Sequence, residues 1–481
     1  MRQVFDSKKY LKVQREAIEE RLAKFEDRLY LEFGGKFIDD FHAMRTLPGY
    51  DANNKLQLLL SLKKEVGVIY CVSAKQLAQG KIRGDFGVGY DVATFKAIED
   101  LKSFGLTLEG VVINRFEGEK EAESLIRQLK KMKIKVAIRK EIKGYPQDLE
   151  LVVSKGGFGL DEYLPVKKKL IVVWGAGPGS GKLSTCLGQI YNEEKRGENS
   201  GYAKFETFPV WDLPLKHPVN LAYEAATADL GDYVLIDPWH IKAYGKKAVN
   251  YNRDVDSFPV LKKIFAQILT RDNFSKGYKS PTDMGVNRLS SGMIDMEKIS
   301  EASKYEICFY WFRYREEFRR GLTKKITLTK MKKIMDELKI NESFLRTVKP
   351  ARIKEGAAIE LSDGRIVTGK SSKLLRPESA AILNAVKILS GIDDRYNLIS
   401  PSVIAEILKL NRKLARKNEG LSVSETMLAW AISARDNPLA KKALENILQL
   451  KNCFMHTVLT PVWGDKELFL RLNLWVSTDG K

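Results

Sequence analysis

The residues best suited to chemistry stand in one run, Trp174-Gly175-Ala176-Gly177-Pro178-Gly179-Ser180-Gly181-Lys182-Leu183-Ser184-Thr185, after the apolar stretch 170–174 and before a helical pattern over 183–194. Glycines let backbone N–H groups turn inward, a helix N-terminus adds partial positive charge, and a lysine neutralises phosphate oxygens, so the run reads as a P-loop-like phosphate cradle. Gly177, Gly179, Ser180, Gly181 and Lys182 would hold the phosphates, with Ser184 or Thr185 supplying a hydroxyl. Two positions depart from the P-loop pattern. Its first glycine falls on Ala176, and the Mg²⁺-binding hydroxyl expected after the lysine falls on Leu183. The dinucleotide pattern fails too, because Ser180 stands where its third glycine belongs. The expected occupant is ATP or another nucleotide with Mg²⁺; the alternative is a glycine-rich turn that binds nothing.

Farther along, 232–237 reads as an apolar strand ending in Asp237, where a carboxylate can hold Mg²⁺ or its water beside such a loop. A turn role before Pro238 is the competing reading. Arg253 and His217 join Lys182 and Asp237 as the expected catalytic set, Arg253 for charge neutralisation and His217 as acid or base. His240 is a second acid or base candidate, but the four histidines show no metal-ligand spacing. Loops rich in planar amides and charges supply the expected substrate contacts. These are Lys204 and Glu206 in 204–209, Asn220 in 215–220, Asn250 and Asn252 in 249–254, and Lys279, Asp283 and Asn287 in 278–287. A further run of this kind spans 81–87. Such groups suit a small phosphorylated or carboxylated ligand. No serine-hydrolase elbow, HExxH helix or kinase catalytic loop occurs.

To position these groups the chain must build parallel strands. Apolar runs at 28–33, 66–72, 110–114, 135–138 and 149–153 read as strands, with helices over 91–104 and 119–132 between them and a charged amphipathic helix over 10–25 in front. This alternation predicts an α/β fold of doubly wound, mostly parallel sheets whose ligands sit at the carboxyl ends of the strands. It divides the chain into an N-terminal α/β domain (1–165), a second α/β region carrying the glycine loop (166–285), a helical segment (286–345) and a smaller C-terminal α+β domain (346–481). In the last, Ser362-Asp363-Gly364 between apolar runs predicts a β-hairpin. Helices are expected from 378, 401 and 424, and the runs 454–459 and 472–476 bracket another short one.

The 481 residues exceed what one core usually serves, and with 44% hydrophobic and 30% charged residues the chain sits in the globular band. No apolar window reaches membrane-spanning length and no signal peptide opens the sequence, so no membrane partner and a cytoplasmic location are expected. Cys71, Cys186, Cys308 and Cys453 lie far apart, which argues against a disulfide framework or a thiolate zinc site. Lysine and arginine number 81 against 61 acids, a net charge of +20 that favours an anionic partner. The excess is spread along the chain, and its densest stretch, 313–333, has helical spacing, so a dedicated nucleic-acid surface is disfavoured. Oligomerisation is left open.

The runs 31–36, 177–182, 201–209, 215–230, 249–255 and 278–287 closely resemble the bacterial family known as domain of unknown function eighteen forty-six, over essentially the whole chain. The resemblance implies a multidomain cytoplasmic protein and no particular reaction. In that family, too, the glycine loop lacks a hydroxyl after its lysine, which argues against ordinary ATPase chemistry. The leading expectation is a nucleotide- or phosphate-binding enzyme acting on a small metabolite, by phosphoryl transfer or NTP-dependent ligation, a transferase or ligase. The alternative is a non-catalytic nucleotide- or RNA-associated regulatory protein.

Overall fold

Strands buried on both faces need apolar side chains at every position, and this chain supplies several. The computed structural model describes residues 4–83, 88–414 and 420–480. It forms two units, Met1–Ser303 and Lys304–Lys481.

In the first unit, β1 (Leu29–Phe33), β2 (Val66–Ser73), β3 (Thr107–Asn114), β4 (Val136–Ile138), β5 (Leu170–Gly175) and β6 (Gly201–Phe205) form one sheet in the order β4-β3-β2-β5-β1-β6. Every pairing in it is parallel. Alternate residues enter opposite cores: Val66, Val68, Tyr70 and Val72 of β2 pack on one face with Leu170, Val172 and Trp174 of β5. Ile69 and Cys71, with Ile171 and Val173, pack on the other. Each such side chain, fully buried, contributes about 1.5–3 kcal/mol. Strands from both sides of residue 165 therefore share one sheet, with β5 inserted between β2 and β1.

From β2 the chain moves outward to β3, whereas from β5 it crosses β1 to reach β6. The connections diverge at the carboxyl ends of β2 and β5, the position where parallel sheets open a crevice for ligands. The glycine run 175–182 lies at this point.

Two expectations change. The run 149–153, expected as a strand, forms the short helix Leu149–Val152 instead, with Asp148 accepting a hydrogen bond from the Leu151 N–H at 3.0 Å. The cap won over the β-branched composition. The strand ending in Asp237 is not part of the main sheet: β7 (Val234–Ile236) pairs antiparallel with β8 (Val249–Tyr251) in a separate ribbon.

The second unit is α+β. β9 (Gly356–Glu360) and β10 (Ile366–Lys370) form the expected hairpin, and β11 (Phe454–Thr457) and β12 (Trp475–Thr478) complete a mixed sheet in the order β10-β9-β11-β12. Helices Pro377–Leu389, Pro401–Lys413, Val423–Ser433 and Trp463–Arg471 lie close to where the sequence places them. The expected helical segment contains Met296–Arg319 and Lys325–Glu337. Among the described residues no helix is long and apolar enough to cross a membrane.

Candidate functional site at the carboxyl edge of the parallel sheet

The turn from β5 into the helix α1 (Lys182–Lys195) is built so that only glycine fits at key points. Gly179 and Gly181 adopt φ of +75° and +88°, in the left-handed region. A Cβ on Gly181 would also stand 2.5 Å from Asn114 Cγ. Neighbours fix the turn from three strands. Asn114, closing β3, donates from Nδ2 to the Ser180 carbonyl at 3.0 Å, and Gln76, just past β2, donates to the Pro178 carbonyl at 2.9 Å. Arg139, just past β4, donates to the Ser184 carbonyl at 2.9 Å while pairing with Asp161 at 3.1 Å, both side chains being almost fully buried. Burial pushes the Asp161 carboxyl up to about 6 even though Arg139 pulls it down.

Held this way, the turn leaves its donors open. Gly181, the N-cap, offers no side chain to the helix, and among the described residues the N–H groups of Gly179, Gly181, Lys182, Leu183 and Ser184 meet no acceptor. Successive N–H groups around left-handed glycines form an anion-binding concavity, and the helix end adds about half a positive charge. Ser180 Oγ, fully buried and turned into the floor of the loop against Gly175, has no hydrogen-bond partner, nor has Ser73 Oγ at the end of β2. The half-buried Lys182 ammonium makes no ion pair among the described residues. Pro178 and Gly179 face solvent.

On the other side of β1 lies a charged cluster. Lys204 of β6 reaches Asp254 at 2.5 Å and Glu206 at 3.5 Å. Arg253 reaches Asp232 at 2.9 Å, Glu206 at 3.3 Å and Asp254 at 3.8 Å, with its guanidinium 4.7 Å from the centre of the Tyr251 ring. The Glu206 side chain crosses directly over Gly34, where a Cβ would stand 2.1 Å from Glu206 Cγ, and so lies above the end of β1 on the way to β5. Burial alone would raise the Glu206 carboxyl, but Lys204, Arg253 and Lys182 outweigh it and hold the group below the usual carboxylate range. Burial would likewise lower the Lys204 ammonium, and Asp254, Glu206 and Glu32 raise it instead. Beside Gly34 the buried Lys55 pairs with Asp40 at 2.9 Å.

The carboxyl edge thus brings together Gly177, Gly179, Ser180, Gly181, Lys182, Ser184, Lys204, Glu206 and Arg253 from the residues singled out in the sequence. The others are held elsewhere or are occupied by structural bonds. Asp237 caps helix α2 (Pro238–Tyr244), accepting from the N–H groups of Trp239 and His240 at 2.9 and 3.1 Å and from Thr282 Oγ1 at 2.7 Å. Thr185 Oγ1 is buried, accepting from Asn114 Nδ2 at 3.2 Å and Cys71 Sγ at 3.3 Å. Asn220 bonds the Val210 backbone through both ends of its amide, and Asn287 joins Thr207 to Leu289. Asp283 closes a capping box with Ser280 and accepts from Tyr244 and from the Lys279 N–H, while the Lys279 ammonium lies over the Tyr244 ring. Asn252 accepts from the Tyr233 N–H; Asn250 reaches Thr282 Oγ1 at 3.4 Å. His217 accepts from the Val219 N–H, its pKa lowered by burial, and His240 Nδ1 lies 3.0 Å from Ser280 Oγ. Of the run 81–87, residues 84–87 lie outside the described residues.

Sequence reasoning missed Asn114, Gln76, Arg139, Asp232 and Asp254. Asn114 alone carried a signal, as a polar residue ending an apolar strand.

The profile described as "Domain of unknown function DUF1846, N-terminal" matches residues 3–339, and its C-terminal counterpart matches 337–481. The chain belongs to the DUF1846 family. A UPF0371 protein of Clostridium botulinum (strain Eklund 17B / Type B) is 44% identical over 490 residues, covering 99% of this chain and 97% of that protein. A UPF0371 protein of Clostridioides difficile (strain 630) is 45% identical over the same length, with the same coverage of both chains. The resemblance carried by the motif runs is therefore a family relationship spanning the chain. The two DUF1846 profiles meet at 337–339, some way past the division between the two structural units after Ser303.

Proposed function

We propose that this DUF1846 protein is an enzyme that binds a phosphorylated small metabolite at the turn 177–182 and acts on it at the carboxyl edge of the parallel sheet. The observation that carries this reading is the turn's set of uncommitted donors, five backbone N–H groups and the Lys182 ammonium, at the divergence of β2 and β5. A structural turn would spend its donors internally, as the turn at Asp237 does. Lys182 neutralises the phosphate. Glu206, kept ionised by Lys204 and Arg253, accepts a hydrogen bond from the organic part of the ligand. Arg253, the most exposed member of the cluster, orients Glu206 and meets the ligand from the solvent side. This is a cytoplasmic role, supported by four buried free cysteines.

Titration calorimetry of the full chain with Mg-ATP, GTP and sugar phosphates, comparing wild type with Lys182→Ala, tests the reading. It expects at least one phosphorylated compound to bind and the substitution to weaken that binding tenfold or more. Equal binding by both proteins removes the role of the loop.

A further inference from the structure

A Mg²⁺ ion carrying a nucleotide takes six oxygens at about 2.0–2.1 Å, with one or two usually from protein hydroxyls or carboxylates. The mouth of this site offers few. The position after Lys182 is Leu183, and the Thr185 hydroxyl is buried between Asn114 and Cys71. Next to β5, β2 ends in Ser73, and β3 beyond it ends in Asn114, so neither presents a carboxylate. Across β1 four carboxylates are matched by cations, Glu206 by Arg253 and Lys204, Asp254 by Lys204, Asp232 by Arg253, and Asp40 by Lys55, while Glu32 of β1 accepts from the Tyr202 hydroxyl at 2.7 Å. Asp237 is committed to its helix cap and to Thr282. In this turn two hydroxyls are uncommitted among the described residues: that of Ser184, and Ser180 Oγ, which is turned beneath the loop against Gly175.

The same mouth is well furnished for an anion. It has the five open N–H groups, the Lys182 ammonium, and the fully buried, unpartnered Ser180 Oγ beneath the loop. We infer that the loop takes the phosphate of a monoester directly, without a divalent cation. This rests on the phosphate-binding reading above and narrows it. One lysine and a helix end of about +0.5 come close to the charge of about −1.5 to −2 on a single phosphate group, and fall well short of a triphosphate chain. The matched carboxylates beyond Gly34 reinforce the choice, because a metal would have to pull one of them away from its lysine or arginine.

The experiment is calorimetry on the full chain with inorganic phosphate, glucose 6-phosphate and ATP, each in excess EDTA and in excess MgCl₂, for wild type and Lys182→Ala. Thermal unfolding of both proteins confirms folding. The inference expects phosphate or glucose 6-phosphate to bind within twofold equally in both buffers, with Lys182→Ala tenfold weaker. Binding that appears only with MgCl₂, or Mg-ATP binding more than tenfold tighter than either monophosphate compound, overturns the inference and leaves the phosphate-binding reading standing. Absence of binding by all three compounds, or indifference to Lys182→Ala, overturns both.

Discussion

Two strand-to-helix turns in the first unit differ in what they do with their first-turn donors. After β5 the N-cap is Gly181, in the left-handed region, and the amides that follow it are left open. After β7 the N-cap is Asp237, whose carboxylate takes the N–H groups of Trp239 and His240, while Pro238 at the first helical position has no N–H to offer. The second turn spends on folding the donors that the first leaves open, and the proposed function assigns those open donors to a ligand. A carboxylate at a strand end is therefore read by what it already holds, and capping decides between the two roles.

Breaking the support of the open turn should have the largest effect. Arg139→Met strands Asp161 in the interior beside α1 and is expected to cost about 3–5 kcal/mol in denaturant unfolding. Because burial already raises the Asp161 carboxyl, and loss of the guanidinium raises it further, the cost should grow as pH climbs through that carboxyl's range and shrink in mildly acid buffer. A loss that ignores pH would show that Asp161 is not the group left uncompensated.

Next in size is Gly181→Val, which forces a β-branched residue to a φ of +88° and drives its Cβ against Asn114. About 2–4 kcal/mol is expected, together with loss of phosphate binding. Asp237→Ala, at the closed turn, should cost only about 1–2 kcal/mol, the worth of a cap and its hydrogen bonds, and leave phosphate affinity within twofold. If Asp237→Ala abolishes binding instead, the contrast between the turns fails. Smallest of all, Thr185→Val removes a buried hydroxyl for about 1 kcal/mol and leaves affinity alone, as chemical denaturation and calorimetry on one sample would show.

Much of the first unit was legible in the sequence because apolar runs such as 66–72 and 170–174 suit strands covered on both faces, although the run 149–153 read the same way and formed a helix. What the runs did not carry was order. That β5 inserts between β2 and β1 depends on crossovers over more than a hundred residues, and no local pattern encodes it. The glycine loop was legible because left-handed turns demand glycine. Its partners were not, since Asn114, Gln76 and Arg139 come from three other connections and look like ordinary polar residues where they stand. Asn220, Asp283 and Asn287 misled for the reason that Asp237 did: short polar side chains that suit ligands also suit the backbone nearby.

The central claim is that the amides after β5 are open because they hold phosphate. A crystal structure of the full chain grown or soaked in phosphate tests it most directly. The account predicts tetrahedral density within hydrogen-bonding distance of the N–H groups of Gly181, Lys182 and Leu183, with the Lys182 ammonium turned onto it and no metal bridging to Glu206. A loop that is empty at saturating phosphate, or amides closed by a protein acceptor, would contradict the account.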